Sequence, residues 1–153
     1  MAPGTVDVIG TGYFDFYPGN GNYLDMNGST TSEGTITTGS LGLEVGQTYE
    51  LTFDYGTNDF PGGFPVYLTF GLGALTETLE ILLQSDLLTA VYTFVYDGSG
   101  DYLSFADTSG TPGDNGGPVV DNISLSAVPL PAGGLLLLGA PGGFAALRRR
   151  KTA

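Results

Sequence analysis

The chain has no cysteine and no histidine. Without cysteine there are no disulfides, no thiolate nucleophile and no Cys-type zinc or iron–sulfur site. Without histidine there is no Ser-His-Asp triad, no imidazole acid–base chemistry and no His metal ligand. Tryptophan is also absent, which leaves nine Tyr and nine Phe as the only rings. Positive charge is almost missing too. The four basic residues are Arg148, Arg149, Arg150 and Lys151, whereas all sixteen acidic residues precede them. Residues 1–147 therefore carry −16 with no cation among them. Phosphate binding needs Lys and Arg, so nucleic acid is excluded as a partner of this part. An anionic membrane surface is excluded for the same reason. Divalent cations and neutral ligands remain.

What is present suits one domain and a tail. A length of 153 residues and 41% hydrophobic content are enough for a real core. Gly (26) and Pro (9) are abundant, as expected for many short strands and turns. Tyr49, Leu51, Phe53 and Tyr55 alternate with Glu50, Thr52 and Asp54, the period of a half-buried strand. Val66–Phe70, Leu88–Tyr96, Tyr102–Ala106 and Val119–Ser126 are further aromatic or β-branched runs. Val6–Ile9, Tyr13–Tyr17, Tyr23–Met26 and Gly34–Thr38 are earlier strand candidates. Leu75–Leu83 has mixed spacing, but Thr76 and Thr78 favour a strand. The expectation is an all-β chain: an antiparallel β-sandwich of jelly-roll type with about nine or ten strands. It should occupy residues 1–127. Residues 128–153 form a small-residue and Leu-rich segment that ends in the basic cluster.

Three strings in order carry a resemblance. They are Gly19-Asn-Gly-Asn-Tyr-Leu-Asp-Met-Asn-Gly-Ser29, Gly46-Gln-Thr-Tyr-Glu-Leu-Thr-Phe-Asp-Tyr55 and Gly117-Pro-Val-Val-Asp-Asn-Ile-Ser-Leu125. Together, over about residues 5–126, they resemble bacterial secreted jelly-roll domains of the galactose-binding-like, carbohydrate-binding-module-like superfamily. The tail resembles the VPLPA variant of the PEP-CTERM sorting signal. Its parts are Val128-Pro129-Leu130-Pro131-Ala132, the hydrophobic segment 133–147 and the basic cluster Arg148, Arg149, Arg150 and Lys151. This resemblance implies export from a Gram-negative cell, transient anchoring in the inner membrane and processing by an exosortase. It also implies company with exopolysaccharide. A Leu-rich segment followed by Arg and Lys agrees with the positive-inside rule. At 15 residues with Pro141 inside, the segment falls short of the roughly 20 that span a bilayer. The start Met1-Ala-Pro-Gly-Thr has no signal-peptide pattern, and the resembled domains carry an upstream strand. A truncated N-terminus is therefore expected.

Asp121 is the carboxylate that stands out. Strict alternation puts Val119, Asp121, Ile123 and Leu125 on one face, and the apolar members mark it as inward. An inward carboxylate needs a partner, and no basic side chain exists to supply one. Backbone amides, protonation or a cation are the choices. Calcium favours Asp, Glu, Asn and carbonyl oxygens. The resemblance implies a structural Ca2+ with the closing-strand aspartate as a ligand. Asp25, followed by the turn Asn27-Gly28, is a second candidate ligand or an Asx-turn residue. Asp114, in the loop Asp114-Asn-Gly-Gly117, is a third candidate or an ordinary turn.

Sugar binding would rest on rings, because sugars present apolar faces that stack on them. Phe60 and Phe64, in the Gly/Pro loop Phe60-Pro-Gly-Gly-Phe-Pro65, suggest an exposed platform. Tyr67 stands beside that loop. Tyr17 belongs to an early cluster with Tyr13, Phe14, Phe16 and Tyr23. Phe53, Phe94 and Phe105 are expected in the core. No serine has a His or Lys to activate it, and no motif selects a pair of carboxylates. The expected function is therefore non-catalytic: an exported surface or matrix protein that binds carbohydrate. A structural matrix protein without a glycan ligand, and a carboxylate-dependent glycoside hydrolase, are the alternatives.

Overall fold

The computed structural model describes residues 4–30, 32–58, 65–82, 86–110 and 115–129. Nine strands run through them: β1 (Asp7–Gly10), β2 (Asn22–Asp25), β3 (Thr35–Thr37), β4 (Thr48–Thr57), β5 (Val66–Leu72), β6 (Leu75–Ile81), β7 (Leu88–Val95), β8 (Leu103–Asp107) and β9 (Pro118–Ala127). They form two antiparallel sheets, ordered β1-β2-β9-β4-β7 and β3-β8-β5-β6. The chain passes repeatedly from one sheet to the other. The sandwich expectation therefore holds, and the ambiguous segment at residue 75 is a strand.

The alternation in β4 does what it implies. Tyr49, Leu51 and Phe53 are buried, and the residues between them are half-buried. Leu68, Phe70 and Leu72 of β5 and Leu103 and Phe105 of β8 meet them from the other sheet. Phe53 sits at the centre, with its ring 5.0 Å from both Phe70 and Phe105 in edge-on contacts. Phe94 packs against this core half-buried.

Two expectations are corrected. Tyr13–Tyr17 is not a strand. It is a loop joined to β1 by a single bridge between Gly10 and Tyr13. Gly10, Gly12, Gly19 and Gly21 all have positive φ, so this stretch turns instead of extending. The second correction concerns β9. Thr52 lies opposite Ser124 but Asp54 lies opposite Asp121, so β9 carries one extra residue. Asn122 adopts φ 48° in this bulge. One extra residue reverses the alternation. Leu125 and Val120 therefore pack into the main core while Ile123 is 40% exposed. Asp121 stands beside Asp54 on the outer face, not on the inward face that alternation gave it.

A second apolar cluster lies behind the five-stranded sheet. Leu24 and Val120 face one another across β2 and β9 and belong to the main core. Their neighbours Tyr23 and Val119 must then point the other way. There they join Ile9 and Tyr17, with Phe16 and Leu87 packed alongside. The loop between β1 and β2 thus folds over the back of the sheet. Tyr17 pins it: its hydroxyl donates to the Thr57 carbonyl at 2.8 Å and accepts from the Thr57 N–H at 2.9 Å. The strand partner of Thr57 is Pro118, which has no N–H to give.

Candidate functional site

The folded-over loop makes one wall of a cavity of about 190 Å³. Tyr13, Phe14, Phe16 and Ile9 supply the apolar side. Asp7, Asp25, Asn27, Ser29, Asn58 and Asn115 supply the polar side. Tyr13 and Phe14 are 62% and 57% exposed, and their rings meet edge-on at 4.7 Å. Phe14 holds φ 48°, a left-handed conformation that a bulky residue adopts only when its surroundings enforce it. The enforcing contacts are visible. Tyr23, buried under the loop, accepts hydrogen bonds at its hydroxyl from Phe16 N at 2.6 Å and Tyr17 N at 3.2 Å. Burial raises the pKa of that hydroxyl above its ordinary value.

On the polar side Asp25, Asn27 and Asn58 are buried, and the side is rich in acceptors. Asp25 lies at the end of β2, opposite both Asp7 and Val119. Its Oδ1 accepts from Asn27 N at 3.0 Å, which is the Asx-turn geometry. Asn58 Nδ2 bridges both carboxylate oxygens at 3.1 Å and also reaches the Asn115 carbonyl at 2.7 Å. Asn58 Oδ1 in turn accepts from Gly117 N at 2.7 Å. Burial pushes the Asp25 carboxyl up to about 6 against the lowering effect of these bonds, and the charges of Asp7 and Asp107 add to the rise. Asp107, at the end of β8, is raised in the same way by burial.

Among the described residues, three buried oxygens in this region have no hydrogen-bond partner: Asn27 Oδ1, Asp107 Oδ2 and Asn115 Oδ1. Asn27 and Asp107 are 1% and 3% exposed, so bulk water does not serve them. Unpaired buried acceptors are costly, and a bound cation or ordered water removes the cost. The donor set is hard oxygen from carboxylates and amides, which fits calcium. Among the described residues no three acidic side chains gather as a metal-holding group, so amide oxygens would have to complete such a shell.

The sequence candidates divide as follows. Asp25 belongs to the site. Asp121 does not: it lies half-buried on the outer face beside Asp54, whose carboxylate accepts from Thr89 and Asn122. Tyr17 is 2% exposed with its hydroxyl bonded, so it is a core anchor and offers no face to a ligand. Tyr67 is half-buried on β5, away from the cavity. Asp114, Phe60, Phe64, Leu130, Pro131, Ala132 and the basic cluster lie outside the described residues. Val128 and Pro129 are described. Val128 continues off β9, donating to the Thr48 carbonyl at 2.8 Å and accepting from Gln47 Nε2 at 3.0 Å.

Sequence reasoning missed Asn58, Asp107 and Asn115. Asn58 directly follows a strand, where asparagine is unremarked. Asp107 comes from the other sheet, so no local spacing links it to Asp25. One signal was there to read. Gly56 interrupts an otherwise aromatic strand, and a glycine in a strand marks close approach of another group. That group is Tyr17, which carries the cavity wall.

No family model matches the chain. Halomucin of Haloquadratum walsbyi is 29% identical over 126 residues, 82% of this chain. The chain spans about 1% of that protein's length. Among solved structures, a family 16 carbohydrate binding module-2 superposes with TM-score 0.53 at 16% identity, covering 80% of this chain and 86% of that one. The enzymatically active domain of bacteriophage CBA120 tailspike protein 4 also gives 0.53, at 11% identity, over 84% of this chain and 18% of that one. The fold is a jelly-roll β-sandwich. Identities this low establish architecture only, and the architecture is shared by a binding module and a domain of an enzyme.

Proposed function

We propose that this jelly roll is a non-catalytic carbohydrate-binding domain of an exported surface or matrix protein. The observation that carries the reading is the cavity beside β1 and β2, where exposed Tyr13 and Phe14 rings border Asp7, Ser29 and Asn115. Rings for the apolar face of a sugar, next to acceptors and amides for its hydroxyls, are the chemistry of a glycan site. The name of the binding module in the comparison agrees with it. The test is binding of the full chain to a broad glycan panel. Tyr13→Ala should weaken capture at least 10-fold, about 1.4 kcal/mol. Phe14→Gly should weaken it similarly while leaving the melting temperature equal or higher, because glycine accepts the left-handed backbone without strain. Folded protein that binds no glycan would turn the reading to a structural matrix role.

A hydrolytic reading has one point in its favour, the raised carboxyl of Asp25. A general acid must present a proton to a leaving group. Both oxygens of Asp25 instead accept bonds from Asn58, and one also from Asn27. That wiring suits an anchor or a cation ligand. Calcium in a structural role is the proposed cation, with oxygens of Asp25, Asn27 and Asn115, which line the cavity, and of Asp107 as its candidate ligands.

Export and sorting complete the proposal. The tail from Val128 would be the substrate of an exosortase, and residues 133–151 would anchor the chain transiently with the basic end cytoplasmic. Exopolysaccharide is then the natural glycan partner. Intact-mass analysis of surface material from the native host should find the chain ending near the Val128–Ala132 motif. Recovery of mature protein that still carries Arg148–Lys151 would refute the sorting role.

A further inference from the structure

The cavity beside β1 and β2 has a charge that a neutral sugar does not use. Asp7 and Asp25 line it from paired positions on the two strands. Residues 1–147 contain no Lys, Arg or His, so no side chain of that stretch neutralises them. The two carboxylates are held differently. Both oxygens of Asp25 accept bonds from Asn58, and its Oδ1 accepts another from Asn27. Asp7 is half-buried and accepts one bond, from Ser29 N to its Oδ2 at 2.9 Å. Among the described residues its Oδ1 has no hydrogen-bond partner. A neutral ligand that covers this oxygen strips it of water, and a hydroxyl offsets only part of that cost. A cation offsets more, because charge-assisted hydrogen bonds are about twice as strong as neutral ones.

The same cavity carries rings. Tyr13 and Phe14 meet edge-on, and Phe14 lies nearly parallel to Phe16 with centroids 6.5 Å apart. Ring faces attract organic cations as well as the apolar face of a sugar. Ser29 and Asn115 add polar groups for hydroxyls. From these groups together we infer that the cavity selects a protonated amino sugar, one residue of a glycan whose amino groups are free and not acetylated. The ammonium pairs with Asp7, the sugar ring lies against Tyr13 or Phe14, and its hydroxyls meet Ser29 and Asn115. At about 190 Å³ the cavity is smaller than the roughly 300–1,000 Å³ of drug-sized pockets, which suits a single sugar residue.

The wider field acts in the same sense. Residues 1–147 carry −16, which draws a cationic chain in and repels one that bears uronate or sulfate groups. Asp7 is not among the candidate calcium ligands, so the amine does not need the oxygens proposed for the metal. This selectivity rests on the glycan-binding reading and narrows it from sugars in general to cationic ones.

The test is calorimetric titration of the full chain with oligosaccharides of equal length and linkage, built of glucosamine, N-acetylglucosamine, glucose or glucuronic acid. The glucosamine oligomer should bind roughly 10-fold tighter than the acetylated and glucose oligomers, or better. The glucuronic acid oligomer should not bind. Asp7→Asn keeps an acceptor for Ser29 N and should bring the glucosamine oligomer down to the level of the neutral ones, whose own binding confirms a folded site. Glu80→Gln removes the same charge from β6, in the other sheet, and should leave the preference intact. Added salt should shrink the preference. Equal affinity for the glucosamine and glucose oligomers overturns the inference and leaves the glycan-binding reading standing. A loss of preference in Glu80→Gln as large as in Asp7→Asn also overturns it, since the attraction is then diffuse. So does an oligolysine that binds as tightly as the glucosamine oligomer. Folded protein that binds none of the oligosaccharides removes the glycan-binding reading and this selectivity together.

Discussion

Gly56→Ala is expected to cost about 1–3 kcal/mol of stability, the usual penalty for overpacking, and to abolish glycan capture at the cavity. A Cβ at position 56 would lie 2.4 Å from the Tyr17 hydroxyl oxygen and 2.7 Å from the ring carbon that bears it. Tyr17 cannot simply retreat. Its hydroxyl satisfies both the N–H and the carbonyl of Thr57, and its ring fills the second apolar cluster. Moving it leaves buried backbone groups unpaired, an additional loss of about 1–3 kcal/mol for each group stranded. The consequence reaches function because the loop that Tyr17 pins also carries Tyr13 and Phe14. Denaturant unfolding and glycan binding, measured side by side, read both effects. Gly39→Ala is the control, since nothing lies within 4 Å of its added methyl. Equal stability of the two variants would show that Tyr17 does not depend on that close approach.

The contrast between Gly56 and Asp121 shows what was legible in the sequence. The alternation of β4 was readable because burial on one face leaves a period of two, and Phe53 was placed correctly by that rule alone. The same rule failed on β9. A bulge shifts the face of every residue beyond it, and nothing in Val-Val-Asp-Asn-Ile-Ser announces the extra residue. The loop at Tyr13–Tyr17 misled for a related reason. Its aromatics have strand propensity, but Phe16 and Tyr17 are spent on covering the back of the sheet, a tertiary demand that propensity cannot anticipate. Asp25 was visible as a carboxylate in a turn. Its partners were not, because Asn58, Asp107 and Asn115 come from distant parts of the chain and meet only when both sheets are in place.

That assembly of acceptors gives the last expected result, a stability that falls as pH rises. In chelator, the folded chain holds the Asp25 proton up to about 6 whereas the unfolded chain releases it near 3.8. Between those values the native state binds more protons, so unfolding free energy decreases with increasing pH. The loss approaches about 2–3 kcal/mol by pH 7. Burial moves Asp107 in the same direction and adds to the slope. Asp97 and Asp101 are shifted down by hydrogen bonds from Ser99 and Ser40, so their stabilisation is lost only in more acidic solution. Asp25→Asn should flatten the difference between pH 5 and pH 7, which separates its contribution from general relief of charge repulsion. Calcium should act in the opposite sense. It needs the carboxylate ionised, so it should raise the melting temperature at pH 7 and much less at pH 5. A slope in chelator that Asp25→Asn leaves unchanged would mean that the Asp25 carboxyl is not the buried acid drawn here. A normal slope with no effect of calcium at pH 7 would leave the acid in place and remove the metal, assigning the unpaired oxygens of Asn27, Asp107 and Asn115 to ordered water.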